Sequence, residues 1–414
     1  MQDIELYTKI LGISKPWVVS SVNVSIPQKR VTITVIHDKG TPVQCPECGL
    51  PASVHDNKTR RWRHLDTCQM ETIIECRVPR SSCDEHGVKQ LKVPWAETNS
   101  HFTAMFEALA IDWLKQANIS AVSKLLGLSW DEAAYIQERA VRRGLARRKE
   151  SPIKQMAIDE TSFQKRHEYV TVILDRERDV VVEVLDDRKA DTVGDWLASK
   201  NEVFLGGIET ISMDMWDPFI KAITDHVPEA ERKICFDRFH VAQHFGKAVD
   251  KVRAMEHREL SQKPKGSPLK KTKMDWLRNS HDIDNRSRRQ FLELTRKNLR
   301  TARAWAIKET AAGLWNYSYR GAAEKAWKLL LRWIAKCRLE PVMKVGKMVA
   351  KYFWGICNAI MKKVSNAIAE GKNARIQKIK AMACGFRNKA RFKMAILFHL
   401  GGLEMSPCAP LVST

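Results

Sequence analysis

The chain has 414 residues, 44% of them hydrophobic and 29% charged, so it can hold several domains with buried cores and is too apolar for domain-scale disorder. Its formal net charge of +22 favours an anionic partner, and nucleic acid above all. It contains no apolar run of about 18 residues, and its N-terminal MQDIELYTKI lacks the basic and apolar regions of a signal peptide. We therefore expect a cytoplasmic protein with no membrane partner.

The positive charge is concentrated in the C-terminal part of the chain. Residues 1–240 contain 33 Lys and Arg against 36 Asp and Glu, whereas residues 241–414 contain 37 against 12. Basic residues that only keep helices soluble would be accompanied by more acidic ones. We expect the C-terminal part to carry most of the charge that binds DNA.

Residues 1–95 predict an N-terminal zinc-binding β module. Residues 17–36 alternate as a β-hairpin does, with a polar turn at 27–30, and two further strand-like segments follow. Cys45 and Cys48 precede those segments, Cys83 and His86 follow them, and a glycine comes directly after each pair. This spacing predicts a tetrahedral Cys₃His site for one structural Zn²⁺, which would supply much of the folding free energy of so small a module.

Two alternatives to this zinc site stay open at the level of the sequence. The four residues could be unrelated thiols and imidazoles, or the ligands could include Cys68, Cys76, His55 or His64. Cys76 lies in an alternating strand and is more simply interpreted as a small buried apolar residue.

Residues 100–150 predict a helix-turn-helix DNA-binding domain. Ser120 and Ser129 are suitable N-caps for two short helices, and Gly127 marks the turn between them. The second helix, at about 130–143, would enter the major groove of double-stranded DNA. A basic run would grip phosphates beyond it, formed by Arg142, Arg143, Arg147, Arg148 and Lys149. A helical hairpin that does not touch DNA is the alternative.

Residues 151–245 predict the first part of a catalytic core. Strand-like segments occur at 154–163, 168–185, 207–214 and 233–240, of which the second is a two-strand meander. Helices are expected at 189–201 and 217–229. A hairpin followed by βα units is the order of a ribonuclease-H-like sheet.

Residues 246–355 predict a basic α-helical insertion, and residues 356–414 the second part of the core with a C-terminal helix. We interpret the tryptophans of the insertion mainly as anchors of helix packing, with a minority available to stack on frayed bases. They are Trp276, Trp305, Trp315, Trp327 and Trp333. The expected fold class is thus an α/β multidomain protein.

Three acidic residues have the setting of one catalytic site. Asp159 and Asp214 each end a β-branched or apolar run, as a carboxylate at a strand end does, and Glu370 lies in a helical stretch rich in Ala and Lys. Carboxylate oxygens suit Mg²⁺. Two such ions can activate an attacking oxygen and stabilise the leaving oxygen of a phosphodiester. These residues suggest phosphoryl transfer on nucleic acid.

With these motifs the chain resembles the insertion-sequence transposases of the ISL3 family, which have a DDE catalytic site on a ribonuclease-H-like core. The resemblance covers nearly the whole chain, and its most specific motif is the one that contains Glu370. The shared motifs are the two metal-ligand pairs, the helix-turn-helix, IDETSF, SMDMWDPF, CFDRFHV and SNAIAEGKNARIQKIKAMACGFRN.

The resemblance implies that Asp159, Asp214 and Glu370 are the catalytic carboxylates and hold two Mg²⁺ ions. It also implies zinc at Cys45, Cys48, Cys83 and His86, although His86 replaces a second cysteine that is common in the family, an exchange that zinc accepts. The implied reaction is cleavage at the element ends, followed by attack of the freed 3′-hydroxyl on target DNA. We expect a nucleoid-associated bacterial protein that acts as a homodimer, because two ends must be brought together.

Side chains around these acids have expected roles as well. Asp217 precedes a proline and is expected to cap a helix, while Asp237 and His240 stay open between structural and catalytic roles. The flanks of Glu370 are expected to hold DNA near the scissile phosphate, a solvated basic face being the alternative for the outer residues. These are Asn366, Lys372, Asn373, Arg375, Lys378 and Lys380.

Two other functions compete with a transposase. A zinc-containing DNA-binding regulator, or a catalytically inactive relative, would share the metal-ligand pairs, the helix-turn-helix and the basic charge. Such a protein would have no need for all three acids in their motifs, so their joint presence favours the enzyme. The carboxylates alone do not separate it from a nuclease without joining activity.

Overall fold

The computed structural model describes residues 3–164, 168–283, 285–297, 299–364 and 367–407. The chain divides into two compact units, one formed by residues 1–149 with residues from 402 onward, the other by residues 150–401. None of the helices in the described part of the chain combines the length and apolar character that a membrane-spanning helix needs.

The N-terminal unit begins with a helix and a five-stranded sheet. The elements are α1 (Asp3–Ile10), β1 (Trp17–Ser25), β2 (Arg30–His37), β3 (Ser53–Thr67), β4 (Met70–Cys83) and β5 (Gly87–Gln90). The strands lie in the order β1-β2-β4-β3, with β5 on β4. The predicted hairpin of β1 and β2 is confirmed, and β2 runs parallel to β4. Alternate residues of β2 are fully buried, as are Ile74 and Cys76 of β4, which confirms the interpretation of Cys76 as a core residue.

Three helices follow and form the helix-turn-helix. They are α2 (Ala104–Gln116), α3 (Ile119–Leu126) and α4 (Trp130–Arg147). Gly127 ends α3 in the left-handed conformation at φ 65°, which glycine adopts without steric cost. Ser129 caps α4 in a reciprocal pair with Glu132, as predicted. The prediction for Ser120 was wrong, because α3 begins earlier and Asn118 caps it by accepting from the amide of Ala121 at 2.9 Å.

The last described residues of the chain belong to this N-terminal unit and pack on α4. Arg143 donates to the carbonyl of Met405 at 2.6 Å. Leu403 lies so close to Gly144 that a Cβ added there would be 2.6 Å from the Leu403 Cβ. A glycine at position 144 thus permits the close approach of the C-terminal segment to α4.

The second unit is built on a mixed sheet. Its strands are β6 (Gln155–Gln164), β7 (Glu168–Asp175), β8 (Val180–Leu185), β9 (Thr210–Met213) and β10 (Ile234–Phe236). They lie in the order β10-β9-β6-β7-β8, and β6, β7 and β8 form an antiparallel meander. The predicted meander at 168–185 is confirmed. Both β9 and β10 run parallel to β6, so their carboxyl ends lie at one edge of the sheet.

Short helices connect the parallel strands. They are α5 (Ala190–Ala198), α6 (Glu202–Gly206), α7 (Asp217–His226) and α8 (Ala230–Lys233). Parallel neighbours require such crossovers, since a tight turn cannot join two strands that run in the same direction. The strands β9 and β10 are buried throughout, as expected of strands covered on both faces.

The rest of the second unit is helical. The helices are α9 (Arg238–Ser261), α10 (Lys273–Leu277), α11 (Asn285–Arg296), α12 (Arg300–Gly313), α13 (Arg320–Lys336), α14 (Glu340–Lys351), α15 (Phe353–Lys362), α16 (Ala367–Met382) and α17 (Lys389–Leu400). Helix α9 starts directly after β10 and continues across residues 245 and 246. Trp276 and Trp327 are fully buried, which confirms their role as packing anchors, whereas Trp333 is 43% exposed.

Candidate functional site

The four predicted zinc ligands lie together in the N-terminal unit. The ligand atoms of Cys45, Cys48, Cys83 and His86 are all within 4.8 Å of one another. The Cys48 and Cys83 sulfurs are 3.8 Å apart, and the Cys83 sulfur is 3.7 Å from His86 Nδ1. Tetrahedral ligands at about 2.3 Å from a zinc ion would be about 3.8 Å apart. The geometry therefore suits a tetrahedral zinc site.

Two tight turns present these ligands. The amide of Gly49 donates to the Cys45 carbonyl at 2.9 Å, and Gly87 follows His86 at the start of β5. Both glycines have positive φ, at 73° and 64°, which explains the glycine after each pair. Backbone N–H groups of Cys48 and Glu47 lower the pKa of Cys45 to about 7, which favours the thiolate that a metal binds.

The rival ligands lie outside this cluster. Cys76 is fully buried in β4, and burial raises its pKa to about 12. His64 is buried with its Nδ1 2.9 Å from the Thr103 hydroxyl, and burial lowers its pKa to about 4. Cys68 lies exposed near the turn between β3 and β4, and His55 lies beside Asp56 at 3.7 Å.

The basic run at the end of α4 divides into buried and exposed residues. Arg143 has an 8% exposed side chain, held by Glu97 at 2.7 Å and Glu107 at 2.6 Å, so it stabilises the N-terminal unit. Arg147 donates to the Ser406 carbonyl at 2.6 Å. Arg142 keeps 68% of its side chain exposed, and Arg148 forms the C-cap of α4.

In the second unit, one of the two predicted catalytic aspartates lies on a strand and the other directly follows the neighbouring strand. Asp159 is on β6, and Asp214 follows β9, which runs parallel to β6. Burial raises the pKa of Asp159 to about 6; the charge of Asp214 adds to the rise, while the amide of Glu160 and the charge of His240 oppose it. Asp159 therefore lies in a low-dielectric environment within reach of the charge of Asp214, whose own side chain is 40% exposed.

Helix α16 reaches the same edge of the sheet and carries Glu370. Asn373, three residues further along the helix, donates to Asp159 Oδ2 at 2.8 Å. Residues three apart lie on one face of a helix, so Glu370 and Asn373 face the sheet together. Burial raises the pKa of Glu370, and the charge of Asp237 raises it further, whereas His240 lowers it.

Asp237 and His240 lie in the same neighbourhood, between the end of β9 and the end of β10. Asp237 follows β10 and is 3% exposed. His240, on the first turn of α9, has Nδ1 3.4 Å from Asp214 Oδ2 and Nε2 4.0 Å from Asp237 Oδ2. The segment CFDRFH was the signal for this pair, but the sequence left their role open.

Within the described part of the chain, the three acids do not form a ligand cluster as tight as the cysteine and histidine one. Among the described residues, the cysteine and histidine cluster is the one group whose potential ligand atoms all lie within 4.8 Å of one another. Three carboxylates repel one another unless a cation or protons neutralise them.

Asp217 has a different role from the one expected. It is the first residue of α7, and Trp216 occupies the N-cap position without a side-chain cap. The Asp217 carboxylate accepts from Lys351 Nζ at 2.6 Å and from the Tyr352 hydroxyl at 2.8 Å. It therefore ties α7 to α14 rather than capping its own helix.

The basic residues around Glu370 also divide. Lys372 is 4% exposed and bonded to the Asp179 carboxylate at 2.9 Å, and Lys380 donates to the Ser162 carbonyl at 3.0 Å, so both fix α16 to the sheet. Arg375 and Lys378 are exposed. Asn366 lies outside the described residues.

Three sequence-family models match the chain in order. A zinc-finger model of the transposases of IS204, IS1001, IS1096 and IS1165 matches residues 41–86, and a helix-turn-helix model of transposase family ISL3 matches residues 91–140. The ISL3 transposase model matches residues 156–396, more than half of the chain. The chain belongs to the ISL3 family of transposases. The resemblance seen in the sequence is thus confirmed.

Curated relatives agree with this assignment. The transposase is 25% identical to the transposase for insertion sequence element IS1557 of Mycobacterium tuberculosis, over 97% of this chain and 96% of the relative. It is 24% identical to the transposase for insertion sequence element IS1001 of Bordetella parapertussis, over 85% and 87%. It is thus an insertion-sequence transposase with a DNA-binding helix-turn-helix and a zinc-finger segment.

Proposed function

We propose that the transposase cuts DNA at the ends of its element and joins the freed 3′-hydroxyl to target DNA, with Asp159, Asp214 and Glu370 as the catalytic carboxylates. The observation that carries the proposal is the convergence on one sheet edge of two aspartates from neighbouring parallel strands and a helix that bonds Asp159 through Asn373.

The strand order supports a ribonuclease-H-like core. An antiparallel meander of three strands, followed by two parallel strands on the side of the first, is the arrangement expected for that fold. In that fold, the first strand and the adjacent parallel strand carry acids of the site, and β6 and β9 would have these roles with Asp159 and Asp214.

The donor set fits Mg²⁺, because hard cations bind carboxylate oxygens and complete their shell with water and substrate phosphate. Two bound Mg²⁺ ions would activate the attacking oxygen and stabilise the leaving oxygen. Asn373 orients the Asp159 carboxylate by donating to Oδ2, and the Glu160 amide holds Oδ1 at 2.8 Å. His240 holds the Asp214 carboxylate from the α9 side. Because its pKa is raised, Asp159 carries a proton in a larger fraction of molecules than an exposed aspartate does. A cation that binds there would have to displace this proton.

We also propose roles for the N-terminal unit. One structural Zn²⁺ would be held by Cys45, Cys48, Cys83 and His86. The helix-turn-helix would place its second helix, α4, in the major groove of the element end. Arg142, Arg375 and Lys378 are exposed members of the predicted phosphate contacts, as are Arg147 and Lys149. Arg143, Lys372 and Lys380 would act by fixing the elements that carry them. Two copies of the chain would bring two element ends together.

The decisive experiment compares cleavage of a labelled element end in Mg²⁺ by wild type and by Asp159→Asn, Asp214→Asn and Glu370→Gln. Each variant should lose cleavage by a factor on the order of 10² or more and keep its DNA affinity measured in Ca²⁺. A pre-cut end incubated with plasmid tests strand transfer separately.

Asp217→Asn is the matched control, because it changes an exposed carboxylate three residues from Asp214 that is bonded to Lys351 and Tyr352. It should keep cleavage. Full cleavage by any one of the three site variants would remove that residue from the site. Wild-type binding without cleavage would favour the inactive, DNA-binding alternative.

A further inference from the structure

An arginine that lies over two aromatic rings borders the candidate catalytic site, and its carboxylate partner among the described residues is Glu160 rather than one of the three acids. Arg188 lies in the loop between β8 and α5, and its guanidinium carbon is 4.7 Å from the centre of the Tyr169 ring and 5.2 Å from that of Trp216. Both distances are within the range of attraction between a cation and an aromatic face. The guanidinium carbon therefore lies over two aromatic rings.

The loop that carries Arg188 is itself fixed. The Asp187 carboxylate accepts from the amide of Lys189 at 2.9 Å and from the Thr192 hydroxyl at 2.6 Å. The Asp187 carbonyl accepts from the Thr171 hydroxyl of β7 at 2.6 Å. Both sides of Arg188 are thus pinned, so the backbone that positions the guanidinium is built into the fold.

The position of this arginine connects it to the site. Trp216 lies in the turn directly after Asp214, where its amide donates to the Asp214 carbonyl at 2.9 Å. Arg188 also contacts Glu160, the neighbour of Asp159, at 3.4 Å. Successive residues of a strand point to opposite faces, so Glu160 and its partner Arg188 lie on the opposite face of β6 from the Asp159 carboxylate.

The charge of Arg188 is only partly compensated. Among the described residues, Glu160 is its one carboxylate partner, at a long 3.4 Å, and 37% of the arginine side chain is exposed. A guanidinium has five N–H donors in a planar fork that matches the oxygens of a phosphate. Trp216 is 39% exposed beside it.

We propose that Arg188, held by Tyr169 and Trp216, binds a backbone phosphate of the DNA strand next to the scissile one. This inference rests on the proposed function, since it places the strand across the acidic edge of the sheet. Arg188 supplies a fixed positive charge at an edge that otherwise repels DNA through Asp159, Glu160 and Asp214.

The test is a binding experiment with the full chain in Ca²⁺, which needs no cleavage. Duplexes of the element end carry a single neutral methylphosphonate at successive positions around the cleavage site. At one position close to that site, the substitution should weaken binding by wild type about tenfold, the effect of losing one charged hydrogen-bond contact. Arg188→Ala should bind the unmodified duplex about tenfold more weakly and show no added loss at that same position.

Two further variants keep the test decisive. Trp216→Ala should reduce the penalty at the same phosphate, whereas Trp216→Phe, which keeps a ring, should retain it. If Arg188→Ala does not fold, Arg188→Lys should show a smaller penalty at the same position, because a lysine keeps the charge without the planar fork.

Arg232→Ala is the matched control, since Arg232 is an exposed arginine of the same unit with a carboxylate partner at 3.3 Å. It should show the full wild-type pattern of penalties. Equal penalties in wild type and Arg188→Ala at every position would overturn the proposal. Failure of wild type to cleave in Mg²⁺ would count against the proposed function alone, because the phosphate contact is read from binding.

Discussion

The residues of the cysteine and histidine cluster lie close together in the sequence, whereas those of the carboxylate site are far apart. Cys45 and Cys83 are separated by one long hairpin, and each ligand pair lies within a single tight turn. The acids come from β6, the end of β9 and α16, and the long helical segment from α9 to α15 precedes Glu370.

The difference shows in how each arrangement is held. Local backbone geometry places the cysteine and histidine cluster, down to the two left-handed glycines. The carboxylate site depends on contacts between elements remote in sequence, such as the bond from Asn373 to Asp159. The first should therefore fail as a folding unit when a ligand is lost, and the second should fail in chemistry while the fold survives.

The largest effect is expected at the cysteine and histidine cluster. Cys45→Ser with Cys48→Ser should abolish binding of one zinc ion per chain and unfold the surrounding turns, since structural zinc in small modules contributes on the order of 10 kcal/mol. Metal analysis of the purified protein measures this. Cys68→Ser, an exposed cysteine outside the cluster, should keep the zinc; unchanged zinc content in the double variant would refute the ligand assignment.

Acidification should also weaken the N-terminal unit through His64. Its pKa is lowered by burial to about 4, below the usual value of about 6.5, so the folded protein favours the neutral ring. The resulting stability is fully present above pH about 6.5 and is lost as the pH falls through 4, by up to about 3 kcal/mol.

Hydrogen exchange of β3 and β4 amides between pH 7 and 4 checks this prediction. His64→Asn should remove this part of the pH dependence. Because thiolates of the cysteine cluster also take up protons on acidification, the difference between wild type and variant is the quantity to read. Identical pH profiles in the two proteins would contradict the prediction.

A smaller effect is expected at the carboxylate site from Asn373→Ala. Loss of the donor that orients Asp159 should reduce cleavage about 10- to 100-fold, as for other groups that support metal ligands, with DNA affinity unchanged. Gln377→Ala is the control, since it is one turn along the same face and bonds the Thr161 hydroxyl instead. Equal losses in the two variants would mean that α16 is needed only for packing.

The smallest effect is expected at the N-caps of α3 and α4, where the sequence suggested Ser120 and Ser129 and only Ser129 caps its helix. Ser129→Ala should destabilise the start of α4 by about 1 kcal/mol, because it removes both bonds of the cap, and Ser120→Ala should change nothing comparable. Exchange rates of the first α4 amides and affinity for the element end measure the two variants. A similar loss in Ser120→Ala would contradict the assignment of Asn118 as the α3 cap.

The features that could be predicted from the sequence are those set by neighbouring residues, and the features that could not are those set by contacts between distant elements. Strands with clear alternation, the Gly127 turn, the Ser129 cap and the four-residue ligand set were accessible from the sequence, because each depends on neighbouring residues. The roles of Arg143, Lys372 and Asp217 were not. A charged residue in a motif looks the same whether it meets a phosphate or a buried carboxylate, and only its tertiary partner decides between them.

The sequence by itself determined the family and the order of the DNA-binding and transposase segments, and it proposed the three acids as candidates, since these reside in residue types and short spacings. The tertiary structure decided which basic side chains are exposed, that Asp237 and His240 lie beside Asp214 and Glu370, and that Arg188 lies over the rings of Tyr169 and Trp216. The physical reason is that burial and charge pairing arise between elements distant in the chain, where no local pattern records them.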